Sequence, residues 1–187
     1  MLRHHDVAAE WHHLCAQAFY PSAVTDKPLI HSGRSSTSGE ASGTLDHTEL
    51  RGDVAVRGFW HRGTRSIFDI RVADTDVPTY RGMASSKVLA RHEKEKKSKY
   101  LAVCLEHRQH FTPLVFSVDG LMGCEASAAV KRLASCLSTK WGRTYSEVCG
   151  FVRSRLSMAL VRSTSMCLRG SRDPAVSYTH LTLPTIA

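Results

Sequence analysis

The stretch Ser66-Ile67-Phe68-Asp69-Ile70-Arg71-Val72-Ala73 decides how the rest of the chain is read. Its β-branched and aromatic residues favour a strand, and alternation puts Phe68, Ile70 and Val72 on one face. Asp69 and Arg71 then share the opposite face. Upstream, Asp53 to Trp60 alternates in the same way through Val54, Val56 and Gly58, and His61 to Thr64 carries Gly63 and reads as a turn. Together the two runs predict an antiparallel hairpin. A carboxylate and a guanidinium on so apolar a strand need partners, because burying either charge alone is costly. Two arrangements satisfy them. In one, Asp69 and Arg71 form a local pair, with each other or with Arg57 across the hairpin. In the other, a turn centred near His61 and Arg62 brings Asp53 opposite Asp69 and Arg71, and the two aspartates hold a hard divalent cation through oxygen ligands.

Outward from the hairpin, His5 to Phe19 reads as a helix with Val7, Trp11, Leu14, Cys15 and Ala18 on one face, stopped by Pro21. Lys27 to His31 is a short strand, and Ser32 to Thr48, rich in Ser, Gly and Thr, is a flexible insertion. Asp74 to Gly82 is a loop and Ser85 to about Arg108 a long helix. Phe111 to Val118 is a strand in which Pro113 points to an early or edge position. Helices follow at about Cys124 to Leu137 and Tyr145 to Leu168. The economical architecture is α/β: one mixed sheet with a hairpin and with helices packed over it, followed by C-terminal helices, in a single domain over 1–173.

The long helix supplies the cation that phosphoryl chemistry wants nearby. His92, Lys96 and Tyr100 recur every four residues, and Leu89, Val103 and Cys104 extend the same face. That face is expected to lean on the sheet with its polar middle toward the aspartates. Taken alone, the run Ala90 to Lys99 also reads as a solvated charged surface.

Composition bounds the partners. The formal net charge is +8, and Lys131 to Arg172 holds nine Lys or Arg against one acid, Glu147. Such a surface fits a polyanion, nucleic acid being the commonest, or else is a solvated basic face. Six cysteines without a CxxC pair, most of them among apolar neighbours, read as buried thiols in a reducing compartment. There is no apolar run long enough to span a bilayer and no signal-peptide core, so an intracellular, soluble chain with no membrane partner is expected. His12, His13 and Cys15 lack a matching second cluster, and no zinc is expected. Val176 to Ala187 holds no acid, Lys or Arg, and its beginning looks like translated sequencing adapter. Accordingly, 174–187 is read as a disordered artefactual tail and Met1 as an internal methionine or an accident of gene calling.

In order and spacing these residues resemble the PD-(D/E)XK nuclease superfamily. They resemble more narrowly the restriction-like endonuclease that lies C-terminal to the reverse transcriptase of non-LTR retrotransposon proteins. Three stretches carry the likeness: Arg3-His4-His5-Asp6-Val7, the arginine-histidine signature that opens the module; Asp53-Val54-Ala55-Val56 with Phe68-Asp69-Ile70-Arg71-Val72, its paired-strand acid motif; and Lys96-Lys97-Ser98-Lys99-Tyr100, its K-x-x-K-Y helix. The resemblance spans about Leu2 to Arg172. It implies a Mg²⁺- or Mn²⁺-dependent endonuclease that nicks target DNA. Asp53 and Asp69 would hold the metal, Lys96 or alternatively Lys99 would stabilise the phosphate, and Tyr100 would help position it. Arg71, a poor substitute for the family's strand lysine, would neutralise charge. Lys131, Arg132, Arg153, Arg155 and Arg162 would grip the backbone of DNA or of an RNA/DNA hybrid. The resemblance further implies a reverse transcriptase domain in the same polypeptide and, for a eukaryotic element, a nuclear location. Gly52 departs from the family's Pro-Asp dipeptide, no zinc knuckle precedes the motif, and the third acid is open between Glu10 and Glu49. The alternatives are a decayed copy that binds nucleic acid without cutting it, and a structural domain of the parent polyprotein.

Overall fold

The computed structural model describes residues 4–31 and 50–170. Arg3, the expected insertion at 32–48, Glu49 and the expected tail at 174–187 lie outside them. The described elements are helix α1 (His5–Ala18), strands β1 (Val24–Asp26), β2 (Leu29–His31), β3 (Leu50–Arg51), β4 (Val54–Arg57) and β5 (Arg65–Ala73), helix α2 (Ser85–Glu106), strand β6 (His110–Ser117), and helices α3 (Cys124–Trp141) and α4 (Tyr145–Gly170).

A mixed four-stranded sheet runs in the order β1-β4-β5-β6. The β1–β4 and β4–β5 pairs are antiparallel, whereas β5 and β6 are parallel and joined by the α2 crossover. The expected hairpin is therefore present, with Val54 opposite Phe68, and Pro113 does lie on an edge strand. The short strand expected within Lys27 to His31 is present as Leu29–His31, which pairs with β3, while a further strand that was not expected, Val24–Asp26, extends the main sheet. Lys27 at φ 44° and Pro28, which has no N–H to donate, break the run between them.

Alternation sorts the sheet's side chains onto two faces. Val54, Val56, Phe68, Ile70, Leu114 and Phe116 pack beneath α1, α3 and α4 in the main core. Phe68 is fully buried and meets Trp11 and Phe59 with ring centroids 5.3 and 4.8 Å away. A side chain of that size contributes roughly 1.5–3 kcal/mol on burial. The other face carries α2 and, at one end, Ile30 of β2 and Leu50 of β3; α2 touches it through two small apolar clusters. Tyr100 and Cys104 meet Ala55, Ile67 and Phe111 at one end, and Leu89 meets Ala73 and Val115 at the other. Asp69 and Lys96 occupy the gap between them.

Part of the charged run on α2 has tertiary partners, while Arg91, Lys94, Ser98 and Lys99 are exposed as a solvated surface would have them. Buried Glu93 accepts the Glu125 N–H at the start of α3 (3.0 Å), and Lys97 pairs with the Glu125 carboxylate. Gly123 makes room for this, since a Cβ there would lie 2.1 Å from the Glu93 carboxylate. Burial is the largest influence on the Glu93 carboxyl and raises it above its ordinary value of 4.5; the Glu125 N–H and Lys97 oppose the shift and the Glu125 charge adds to it. A raised carboxyl favours the folded state below 4.5, and that contribution fades as pH rises through the folded value. Glu93→Gln, which keeps an oxygen acceptor, is expected to melt with the native protein at the acid end and above it at neutral pH. Melting curves across that range check this, and a gap that does not widen with pH would count against it.

Candidate active site

Asp53 sits at the point where β4 leaves its partner. Its N–H donates to the Phe68 carbonyl at 2.9 Å, in register with β5. One residue earlier the chain turns aside, because Gly52 donates instead to the Pro28 carbonyl at 3.0 Å. The Ile70 N–H is thereby left without a ladder partner, and Asp53 Oδ2 accepts it at 2.6 Å. That bond fixes the Asp53 carboxylate beside β5. Gly52 permits the close approach: a Cβ at this position would lie 2.5 Å from Ile67 Cγ2 and 3.3 Å from the Phe68 carbonyl oxygen. A proline at this position would also lose the bond to the Pro28 carbonyl.

Asp69 is buried on the α2 face, with the Lys96 ammonium 2.7 Å from its Oδ2. The contact is ionic but poorly directed, and among the described residues no aligned hydrogen bond reaches that oxygen. Burial, the dominant influence, pushes the Asp69 carboxyl above the usual carboxylate range, opposed by Lys96, increased by the negative charge of Asp53 and opposed weakly by His4. Two carboxylates are thus held close at a cost in electrostatic energy, beside one ammonium.

These groups open onto one cavity of about 740 Å³, lined by His4, Asp53, Asp69, Arg71, Lys96 and Cys167 together with Ile70 and Val72. Of the expected residues, Asp53, Asp69, Arg71 and Lys96 converge. Neither local pairing considered for Asp69 forms. Arg71 binds Glu95 (3.0 Å), and Arg57 stands opposite Arg65 across the hairpin. Glu95 in turn reaches His92 (3.4 Å), whose other ring nitrogen meets the Tyr80 hydroxyl (3.2 Å). The Glu95 carboxyl is held low, first by His92 and then by Arg71, whereas burial and then the Arg71 charge hold His92 low.

Lys99 and Tyr100 are placed differently. Tyr100 is buried, its ring stacked on Phe111 at 5.2 Å, and the Lys99 ammonium lies 5.1 Å over that ring. Neither lines the cavity. The basic residues Lys131, Arg132, Arg153, Arg155 and Arg162 are all exposed on α3 and α4. Two of them carry structural contacts: Arg132 donates to the Phe59 carbonyl (3.1 Å), and Arg155 makes a two-point bond to Glu10 (2.8 and 3.0 Å). Glu10, one of the two candidates for third acid, is held by this contact and does not line the cavity.

His4 and Cys167 reach the cavity without having been assigned a role. The His4 Nε2 lies 3.9 Å from Asp53 Oδ1. His4 was part of the Arg3-His4-His5 stretch, but nothing in its spacing says that it meets Asp53. Cys167 carries no local signal. The six cysteines are free; Cys15 and Cys104 are buried and Cys124 is exposed, so only some fit the expectation of buried thiols. Burial pushes the Cys104 thiol up to about 11.

The residues fit a hard cation modestly. Asp69 Oδ2 is a buried carboxylate oxygen lacking an aligned donor, and Asp53 Oδ1 is not taken by the backbone. Two carboxylates with water completing the shell is an ordinary Mg²⁺ arrangement. Among the described residues, no three His, Cys, Asp or Glu side chains gather as a metal site. No helix among them is long and apolar enough to cross a membrane. The sequence matches no protein-family model and no curated protein.

Proposed function

We propose that the chain is a metal-dependent endonuclease module of the restriction-like, PD-(D/E)XK type, nicking DNA by phosphodiester hydrolysis within a retroelement polypeptide that also carries a reverse transcriptase. The observation supporting this reading is the meeting of Asp53, Asp69 and the Lys96 ammonium at one cavity. Mg²⁺ or Mn²⁺ held by Asp53 and Asp69 would supply Lewis-acid stabilisation of the charge that builds on a phosphoryl group. Asp53, tied to the Ile70 N–H, would keep its carboxylate still. Lys96 would swing its ammonium from Asp69 toward a phosphate oxygen as the negative charge develops. Arg71 would add positive charge at the rim, oriented by Glu95. The exposed cations of α3 and α4 would hold the nucleic-acid backbone, with salt-dependent affinity. A nuclear location follows if the element is eukaryotic.

The test is plasmid nicking by purified protein in Mg²⁺ or Mn²⁺, comparing the two lysines that the sequence left open. Lys96→Met is expected to slow nicking by about a hundredfold, the size of effect seen when a single charge-stabilising donor is lost. Lys99→Met is expected to stay within about threefold of the native rate, because Lys99, unlike Lys96, does not line the cavity. Equal effects of the two substitutions would remove Lys96 from its role. A second reading, a module that binds nucleic acid but no longer cuts, draws on the absence of a third clustered ligand among the described residues. It predicts salt-sensitive binding without nicking in either metal.

A further inference from the structure

A second cavity, distant in character from the acidic one, lies where the end of α1 meets the α3–α4 turn. It measures about 370 Å³ and is lined by Gln17, Trp141, Arg143, Glu147, Val148 and Phe151. Trp141 and Phe151 remain 37% and 39% exposed although both are large and aromatic. Their rings meet edge to face, with centroids 5.5 Å apart and planes at 75°. Isolated apolar side chains on a surface need no account, but two rings sharing the wall of one cavity form an aromatic corner, one face and one edge.

Its surroundings are cationic. Arg143 lines the cavity and the Lys140 ammonium is anchored at the same edge on the Gln17 carbonyl, while the Arg155 guanidinium, 5.9 Å from the centre of the Phe151 ring, is neutralised by Glu10. One carboxylate, Glu147, also lines it. Its Oε2 accepts from the Thr144 N–H and hydroxyl, and among the described residues no hydrogen bond reaches Oε1. Aromatic faces rimmed by cations suit single-stranded nucleic acid, since every base offers a π-face and every linkage a negative charge. A docked apolar protein segment would instead bury Arg143 and Glu147, at a desolvation cost.

We propose that this groove takes one unstacked base of a single-stranded nucleic acid, stacked on the Trp141 ring with the Phe151 ring against its edge, and with a neighbouring phosphate on Arg143. Glu147 Oε1 accepts from an exocyclic amino group, so cytosine is preferred over thymine. This site is separate from the acidic cavity and does not depend on cleavage.

The experiment is fluorescence anisotropy with short labelled oligo(dC), oligo(dT) and a blunt duplex, in EDTA so that no metal-dependent cutting intervenes. Trp141→Ala and Phe151→Ala are each expected to weaken oligo(dC) binding about tenfold, within the range that one stacked base contributes, and to leave duplex binding unchanged. Phe151→Tyr retains binding, and Glu147→Ala brings oligo(dC) level with oligo(dT). In the unaltered chain oligo(dC) quenches tryptophan emission, and Trp141→Phe removes that quenching, which covers the case in which an alanine variant misfolds. Unquenched emission, unchanged oligo(dC) affinity in the alanine variants, or equal losses on single strands and duplex would overturn the assignment. So would sedimentation showing that the same variants abolish self-association instead, which would make the groove a protein interface.

Discussion

The Asp69→Asn protein is expected to nick plasmid DNA at least about a thousandfold more slowly than the native chain, while its metal-free form melts at the same temperature or higher. The two effects share a cause. Asp69 is buried between the two apolar clusters that join α2 to the sheet, and its ionised form is disfavoured there despite Lys96 at 2.7 Å. Asparagine keeps the shape and removes the charge, which relieves the burial penalty. The same change removes one of the two carboxylates proposed to hold the cation, and losing a group on which the chemistry depends costs three or more powers of ten. Nicking rates and melting curves on one preparation separate the outcomes. Lost nicking together with a melting point many degrees lower would mean that the Asp69–Lys96 pair holds the fold together and that its role is structural.

The Gly52→Ala protein is expected to be about 1–3 kcal/mol less stable and to nick about a hundredfold more slowly. A methyl group at this position would lie 2.5 Å from Ile67 Cγ2, and Ile67 is fully buried against Tyr100 and Phe111. Overpacking a site that cannot yield has this energetic size. The displaced chain is the one that carries Asp53, whose carboxylate depends on its 2.6 Å bond to the Ile70 N–H. A shift of about 1 Å in a positioned group is enough to slow chemistry a hundredfold. Ile67→Leu moves the branch off Cβ and frees the space, so the stability cost of Gly52→Ala should shrink in that background. A double-mutant cycle reads the coupling. Strict additivity would show that the close approach is not what Gly52 provides.

The hairpin and the facing of Asp53 and Asp69 were legible in the sequence because a strand has period two. Phe68, Ile70 and Val72 had to face the core, which left Asp69 one face, and the turn length set its partner. Lys96 was legible for a similar reason: helical spacing put it between Leu89 and Tyr100 on the face that meets the sheet. The short strand Val24–Asp26 was not legible, since three residues followed by the left-handed Lys27 offer too little pattern to separate from the next strand. Glu95 was equally hidden. In the run from Arg91 to Lys99 every side chain is charged or polar, and nothing local says which carboxylate meets Arg71. Gly52 looked like a defect in a motif, but its role depends on Ile67, fifteen places on in sequence and in contact only after the hairpin closes. Contacts such as Arg155 with Glu10 join distant helices and leave no trace in either one's periodicity.

The most direct measurement is anomalous X-ray scattering from crystals of the protein soaked in Mn²⁺. A single manganese peak bonded to carboxylate oxygens of both Asp53 and Asp69, at about 2.2 Å and beside the Lys96 ammonium, is the predicted result. No peak there at saturating Mn²⁺, or one bound to other residues while these carboxylates stay bare, would contradict it.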